Sequence, residues 1–202
     1  MQKLSTKAKL RNVRLSFCNL LTPVGFTEDD TDKRYRTDII ISKDNKEAIG
    51  AIKVALENAL KNAEASNIFA GKSLKQVTTS ERWHSALKDG DKERPEDEAY
   101  KNSYFLSAWA TIDRPPVIFD KAKNKITKDT EGAEDKVYSG VYVTALISFF
   151  AYNYKGQYGT GTTISGLVTY QKGERLSGVD VESELEDEFD EDSSDDSLDE
   201  LL

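Results

Sequence analysis

Apolar and polar residues alternate along much of this chain, a pattern typical of β-strands with one buried face and one wet face. Three such stretches occur before residue 113, and two longer ones follow residue 136. The dipeptide Lys155-Gly156 separates the last two, and its composition predicts a tight hairpin turn. The predicted strands are residues 7–19, 33–42, 103–112, 137–154 and 157–171.

One segment has helical spacing instead. Apolar residues recur at intervals of three and four from Ile49 to Ala63, which predicts a helix over residues 44–65. Asp44 is the predicted N-cap, and Glu47 is placed to complete a capping box.

A long charged segment, residues 87–102 (LKDGDKERPEDEAYKN), has little periodicity, and we expect it to be a surface excursion. Five strands and one main helix predict a mainly β fold, an OB-fold-like five-stranded barrel with a long inserted loop. Because a helix interrupts the strands only once, the pattern argues against an alternating βαβ sheet. We expect one domain over residues 1–179 and a disordered acidic C-terminal tail over residues 180–202.

The strand segment over residues 141–154 has two chemically distinct faces. With a period of two, aliphatic residues from Val141 to Ile147 share the face that should point into the core. The opposite face mixes small hydroxyl side chains with aromatic ones. A row of aromatic rings exposed to water is unfavourable unless another group packs on it. Nucleobases can do so, because every base has a π-face that stacks on an aromatic ring. The alternative is that Phe150 and Tyr152 pack beneath a loop or the helix.

The charge distribution separates the chain into two parts. Its 36 acidic and 28 basic residues give a formal net charge of −8 at pH 7. Thirteen acids and no Lys or Arg lie between Asp180 and Leu202, so the body carries 23 acids against 28 bases. A basic body with an acidic tail is typical of a polyanion-binding domain whose tail competes for the binding groove. A tail that merely increases solubility also fits this composition.

Single cysteine and histidine residues exclude several kinds of site. Cys18 has no partner for an intramolecular disulfide or a cysteine-based zinc cluster, and His84 lacks an evident nucleophile partner. The acids between Asp89 and Glu98 could hold Mg²⁺ in a nuclease, but interspersed basic residues favour a solvated loop. We therefore expect no enzyme, cofactor or metal. The lack of a long apolar run predicts a soluble cytoplasmic protein that does not enter a membrane.

Basic and aromatic residues are interleaved on the predicted strands, as expected of a groove that binds single strands without sequence preference. Arg34 and Arg36 share one face of their strand, for example, and Trp109 lies on the third strand. We predict phosphate contacts by Arg14, Arg34, Arg36, Lys101, Arg114 and Lys155. We predict base stacking on Tyr35, Trp109, Tyr142, Phe150 and Tyr152.

Several blocks of the chain resemble a known family. They are VRLSFCNLLTP, KRYRTDIIISKD, LKDGDKERPEDEAYKNSYFLSAWATIDRPPVIFD and the stretch from EDKVYSGVYV to GERLSG before the acidic tail. In this order they resemble the bacteriophage single-stranded DNA-binding proteins, the group of the T7-type single-strand binders. The resemblance spans nearly the whole body and implies an OB-fold that coats single-stranded DNA in phage replication, recombination and repair. The expected location is the cytoplasm of the infected bacterium.

The same resemblance implies that the acidic tail contacts a replicative DNA polymerase and a helicase/primase. The tail residues expected to do so are Asp180, Glu188, Phe189, Asp196, Asp199, Glu200, Leu201 and Leu202. T7-type tails end in an aromatic residue, whereas this chain ends in two leucines, so partner identity does not carry over. The sequence leaves open whether the protein forms a homodimer. The alternative function is a protein-interaction module, or DNA mimic, whose acidic tail inhibits a nucleic-acid enzyme.

Overall fold

The computed structural model describes residues 3–25 and 31–176, and these form nine strands and three α-helices. All five predicted strands are present, although the fourth begins at Tyr142 rather than at residue 137. In chain order the elements are β1 (Lys7–Val24), β2 (Arg34–Ser42), α1 (Lys46–Ala65), α2 (Leu74–Thr78), β3 (Trp83–His84), β4 (Leu87–Asp89), α3 (Gly90–Glu93), β5 (Ser103–Thr111), β6 (Val117–Phe119), β7 (Lys125–Ile126), β8 (Tyr142–Tyr154) and β9 (Gln157–Gln171).

Five of these strands close a barrel. β1 pairs antiparallel with β2 and β8, β2 pairs with β5, and β8 pairs with β9. A short parallel pairing of β5 with β9, in which Ala108 lies opposite Thr162, completes the ring. The prediction of a mainly β fold with an OB-like five-stranded barrel is therefore confirmed.

The barrel interior is filled by the aliphatic face predicted from the alternation along β8. Val143, Ala145 and Ile147 are fully buried, and they share one core with residues of β1, β2, β5 and β9. α1 packs on β1 and β8 and buries Ile52 and a row of alanines in the same core. Each Å² of apolar surface buried contributes about 25 cal/mol to stability. A register slip by one residue would turn this whole aliphatic face to solvent, so the observed register is strongly favoured.

The N-cap of the main helix lies one residue later than predicted. Asn45, rather than Asp44, is the N-cap, and its Oδ1 accepts a hydrogen bond from Ala48 N at 3.1 Å. Its Nδ2 donates to the backbone carbonyl of Arg11 at 2.8 Å, which ties the helix start to β1. A carboxylate has no N–H to donate, so Asp44 could not make this second bond. Glu47 pairs with Arg11 instead of completing a capping box.

Residues 87–102 lie largely at the surface, as predicted, but they have secondary structure that their composition does not indicate. They form β4, α3 and a short 3-10 helix, and they fold back against β5. Tyr100 is fully buried beside Ile40 and Phe105, and its hydroxyl donates to Asp38 at 3.1 Å. Burial raises the pKa of this hydroxyl above its usual range. Asp89 and Asp91 pair with Lys43, and Arg94 pairs with Asp38, so ion pairs attach this charged segment to the barrel.

The hairpin between β8 and β9 turns as predicted. Lys155 and Gly156 both have positive φ, 50° and 80°, the geometry that matches the twist of two antiparallel strands. Farther along β9, β6 pairs in parallel with it, and β7 pairs antiparallel with β6. No helix within the described ranges has the length and apolar character needed to span a membrane.

Candidate nucleic-acid interface

Two aromatic rings on the outer face of β8 lie across the neighbouring strand β9. Phe150 is paired with Gly161, and Tyr152 with Gly159. Neither glycine has room for a side chain, because a β-carbon would collide with the Phe150 ring at Gly161 and stand 2.7 Å from Tyr152 Cζ at Gly159. The two glycines thus let both rings lie low on β9, half-buried rather than covered. The predicted outward placement of these rings is confirmed.

Trp109 extends the line of rings onto β5. The register places it opposite Arg36 on β2 and Thr163 on β9. Its ring centroid lies 6.2 Å from that of Phe150, edge to face, and Phe150 lies 6.3 Å from Tyr152. We call Trp109, Phe150 and Tyr152 the aromatic row. The edge-to-face contact fixes the Trp109 and Phe150 rings relative to each other, whereas the Phe150 and Tyr152 rings are tilted by 45°.

Two arginines of β2 border the aromatic row. Alternation along the strand places Arg34 and Arg36 on the outer face, as predicted. The guanidinium carbon of Arg34 lies 4.3 Å from the centroid of the Trp109 ring, a cation–π contact. Asp32 holds this guanidinium with two hydrogen bonds, the shorter of which is 2.6 Å. A positive charge is therefore fixed beside an aromatic surface.

Two clefts flank the aromatic row, and both include Ser107. We call them together the groove. The first has a volume of about 410 Å³, and its lining includes Phe17, Asn19, Arg36, Arg94 and Trp109. The second has a volume of about 520 Å³, and its lining includes Trp83, His84, Lys88, Tyr152 and Gly161. Stacking surfaces next to guanidinium and ammonium groups are what a single-stranded nucleic acid requires.

Tyr35 is not placed to stack on bases in the groove, contrary to the prediction. It alternates with Arg34 and Arg36 along β2, lies opposite Ala110 and packs against the barrel core. Alternation along β2 puts Tyr35 on the opposite face from the two arginines. Only the closed barrel shows that this face points inward.

Arg14 and Tyr142 lie together on the β1–β8 pair, outside the groove lining. The Arg14 guanidinium lies 5.7 Å from the Tyr142 ring and donates to the backbone carbonyls of Gly140 and Glu174, at 3.0 and 2.7 Å. These bonds clamp the segment that follows β9. Arg14 therefore has a structural role that the strand pattern did not indicate.

The other predicted phosphate contacts are exposed but line neither cleft. Lys101 lies 3.4 Å from Glu98 on the surface, and Lys155 sits at the hairpin tip beside Tyr154. Arg114 is in the loop between β5 and β6. Contact of these three residues with a longer strand stays a prediction.

Two acids of the cluster considered for Mg²⁺, Asp89 and Asp91, are paired with a lysine. Lys43 Nζ lies 2.7 Å from Asp89 and 2.6 Å from Asp91. The hydrogen bond from Lys43 lowers the pKa of Asp91, and the two carboxylates raise that of Lys43. Across residues 3–25 and 31–176, His, Cys, Asp and Glu side chains form no group of three placed to hold a metal ion. Lys43 thus supplies the positive charge that Asp89 and Asp91 would otherwise find in a metal ion.

Phe17 and Arg94 line the groove although the strand pattern did not single out either as a contact. Phe17 lies where the register between β1 and β2 shifts, and Arg94 directly follows α3. The predicted tail residues, Asp180 to Leu202, lie outside the described residues. Their roles stay predictions.

Comparison with known proteins places the chain in a family. The family model described as "Enterobacter phage Enc34, ssDNA-binding protein" matches residues 6–199, and the chain belongs to this family. Protein p50 of Acyrthosiphon pisum secondary endosymbiont phage 1 is 27% identical over 180 residues, covering 88% of this chain and 90% of p50.

Solved structures share the fold. The Enc34 single-stranded DNA-binding protein in complex with ssDNA superposes with a TM-score of 0.68 at 19% identity, covering 88% of this chain and 97% of that one. The bacteriophage T7 single-stranded DNA-binding protein gp2.5 superposes with a TM-score of 0.57 at 9% identity, covering 85% and 94%. Fold similarity at such low identity shows that the barrel is shared, and the residues of the groove have to be argued from their own geometry.

Proposed function

We propose that this member of the Enc34 family is a non-enzymatic protein that binds single-stranded DNA without sequence preference. The observation that carries the proposal is the aromatic row with Arg34 fixed 4.3 Å from the Trp109 ring. Bases stack on Trp109, Phe150 and Tyr152, each stack contributing roughly 1–3 kcal/mol. Phosphates pass the charged side chains of Arg34, Arg36 and Lys88 at the borders of the groove.

A duplex would bind less well to this surface. The rings of the aromatic row lie low on the sheet, so a base has to leave its own stack to cover them. In a duplex that step costs a few kcal/mol of unstacking and unpairing, whereas a single strand offers its bases freely.

In the cell, we propose that the protein coats single-stranded DNA during phage replication, recombination and repair in the bacterial cytoplasm. The acidic tail, residues 180–202, competes with DNA for the basic groove and recruits the replicative polymerase and helicase/primase. The charge distribution supports the competition, because a tail with thirteen acids is attached to a body with an excess of five basic residues. Phe189 and the two final leucines supply apolar anchors for a partner.

The test is a fluorescence-anisotropy titration of the full chain with labelled oligo-dT and with a duplex of equal length. We expect tight binding to oligo-dT, weaker binding to duplex, and loss of affinity in Trp109→Ala. Equal affinity for both nucleic acids would contradict single-strand selectivity. No binding to either would favour the protein-interaction or DNA-mimic alternative.

A further inference from the structure

Phe17 is an exposed aromatic residue in a backbone conformation that aromatic residues avoid. Its φ is 46°, in the left-handed region, and 59% of the residue is exposed. It lies where the register between β1 and β2 shifts, between the pairs Ser16–Asp38 and Asn19–Arg36. A bulky residue at positive φ costs free energy that glycine or asparagine would not incur. Such an exposed, strained side chain needs an explanation other than folding.

The bulge that presents Phe17 is held on both sides. Cys18 N donates to Ser139 Oγ at 3.0 Å, and the Ser16 carbonyl accepts a hydrogen bond from Thr37 Oγ1 at 3.0 Å. Both flanking residues are thus attached to neighbouring strands or loops. The Phe17 ring is therefore directed outward by a fixed backbone.

Arg94 backs the Phe17 ring. Its guanidinium carbon lies 4.8 Å from the Phe17 ring centroid and 4.3 Å from that of the buried Tyr100. Arg94 Nη2 donates to Asp38 Oδ2 at 2.8 Å, so the guanidinium is fixed between the two rings. Its Nη1 is buried and has no hydrogen-bond partner among the described residues. The segment after α3 thus buttresses a ring that contributes little to the core.

Phe17 lines the same cleft of about 410 Å³ as Trp109, Asn19 and Arg36. This volume falls within the range of sites that hold small organic molecules. Aromatic rings together with amide and guanidinium groups offer stacking surfaces and edge contacts for a nucleobase. We infer that Phe17 is a further base-stacking platform, and that this cleft holds a base of the bound single strand beyond those on the aromatic row. The inference rests on the proposed function.

The backbone conformation provides a sharp test. Phe17→Gly and Phe17→Asn suit the left-handed region better than phenylalanine, so both should keep or raise the melting temperature of the full chain. Both should nevertheless weaken binding to oligo-dT by roughly 5- to 150-fold, the effect of losing one stack. Phe17→Tyr keeps the aromatic ring on which a base would stack, so it should bind within about twofold of the wild type. Val54→Ala, which shortens an exposed side chain of similar exposure on α1, is the control and should bind as the wild type does.

Photo-crosslinking adds a direct readout. Oligonucleotides that carry 5-iododeoxyuridine should crosslink to the peptide that contains Phe17, and the crosslink should disappear in Phe17→Asn. Unchanged affinity of both variants, or a lower melting temperature of Phe17→Gly, would overturn the inference. If Trp109→Ala weakens binding while the Phe17 variants do not, only this inference fails. If the wild type binds no oligonucleotide, the proposed function fails with it.

Discussion

The tip of the Phe150 ring lies over the α-carbon of Gly161 on the adjacent strand, where a β-carbon would collide with Cζ of the ring. Tyr152 has the same relationship to Gly159 two pairs farther along the hairpin. Glycine in a strand usually weakens it, since it adds backbone entropy and no packing. Here the glycines determine how low the rings lie on the sheet, and hence how a stacked base would sit.

Replacing Gly161 by alanine should lift the Phe150 ring and weaken binding to single-stranded DNA. We expect a loss of about 1 kcal/mol, a fraction of one full stack, with a melting temperature close to that of the wild type. Gly50→Ala is the matched control, because a β-carbon at Gly50 on α1 meets no atom within 4 Å. It should leave binding unchanged and raise stability by up to about 1 kcal/mol. Equal affinity of the Gly161 variant and the wild type would show that the ring position is irrelevant to binding.

Truncating the aromatic row itself should have a larger effect. Phe150→Ala and Tyr152→Ala should each weaken binding to oligo-dT by roughly 1–3 kcal/mol, measured by anisotropy, while circular dichroism shows a folded barrel. Leu146→Ala, on the same face of β8 and 37% exposed, is the control and should bind normally. A collapse of the melting temperature in the aromatic variants would instead mean that these rings serve the core.

The salt dependence of DNA binding should report how many phosphates the protein contacts. The logarithm of the association constant should fall linearly with the logarithm of salt concentration, by about 0.7 per phosphate neutralised on a single strand. Arg34→Gln should lower this slope by about one contact and reduce affinity at low salt. Lys53→Gln makes the same charge change on the exposed face of α1 and should leave the slope as it is. An affinity independent of salt would contradict a role for the arginines.

The buried carboxylate of Asp38 should matter for stability. It accepts hydrogen bonds from Arg94, Ser107 and Tyr100, at 2.8, 2.7 and 3.1 Å. Asp38→Asn removes the charge that balances a partly buried guanidinium, and we expect unfolding free energy to fall by about 2–3 kcal/mol in urea titrations. Glu98→Gln breaks an exposed pair with Lys101 and should cost less than about 0.5 kcal/mol. Similar small losses in both variants would show that the network adds little.

Deletion of residues 180–202 should tighten DNA binding. The tethered tail has an effective concentration on the order of millimolar at the groove, and its competition should be strongest at low salt. Anisotropy of the full and shortened chains at two salt concentrations measures this, and a pull-down with a replicative polymerase measures partner contact, which should be lost. If the shortened chain binds DNA equally or more weakly at low salt, the tail is not a competitor.

Local sequence determined the strands, their faces and the last turn of this protein. Alternation over Tyr142–Tyr154 assigned Ile147 to the core and Phe150 to the outside, because the side-chain period of a strand is two whatever its partners. The Lys155-Gly156 turn followed from local chemistry in the same way. The family resemblance likewise depended on blocks that can be read directly from the chain.

Only the tertiary structure decided which side of β2 faces the groove and which charges are structural. Asp38 and Arg94 are 56 positions apart, and their pairing attaches a charged surface segment to the barrel. Tyr35 points inward because the sheet closes through β5 and β9, a contact that the pattern on β2 does not contain. Phe17 reaches the groove because a register shift rotates it out of the alternation. Pairing partners, closure and bulges depend on interactions between distant segments, and a local pattern carries no information about them.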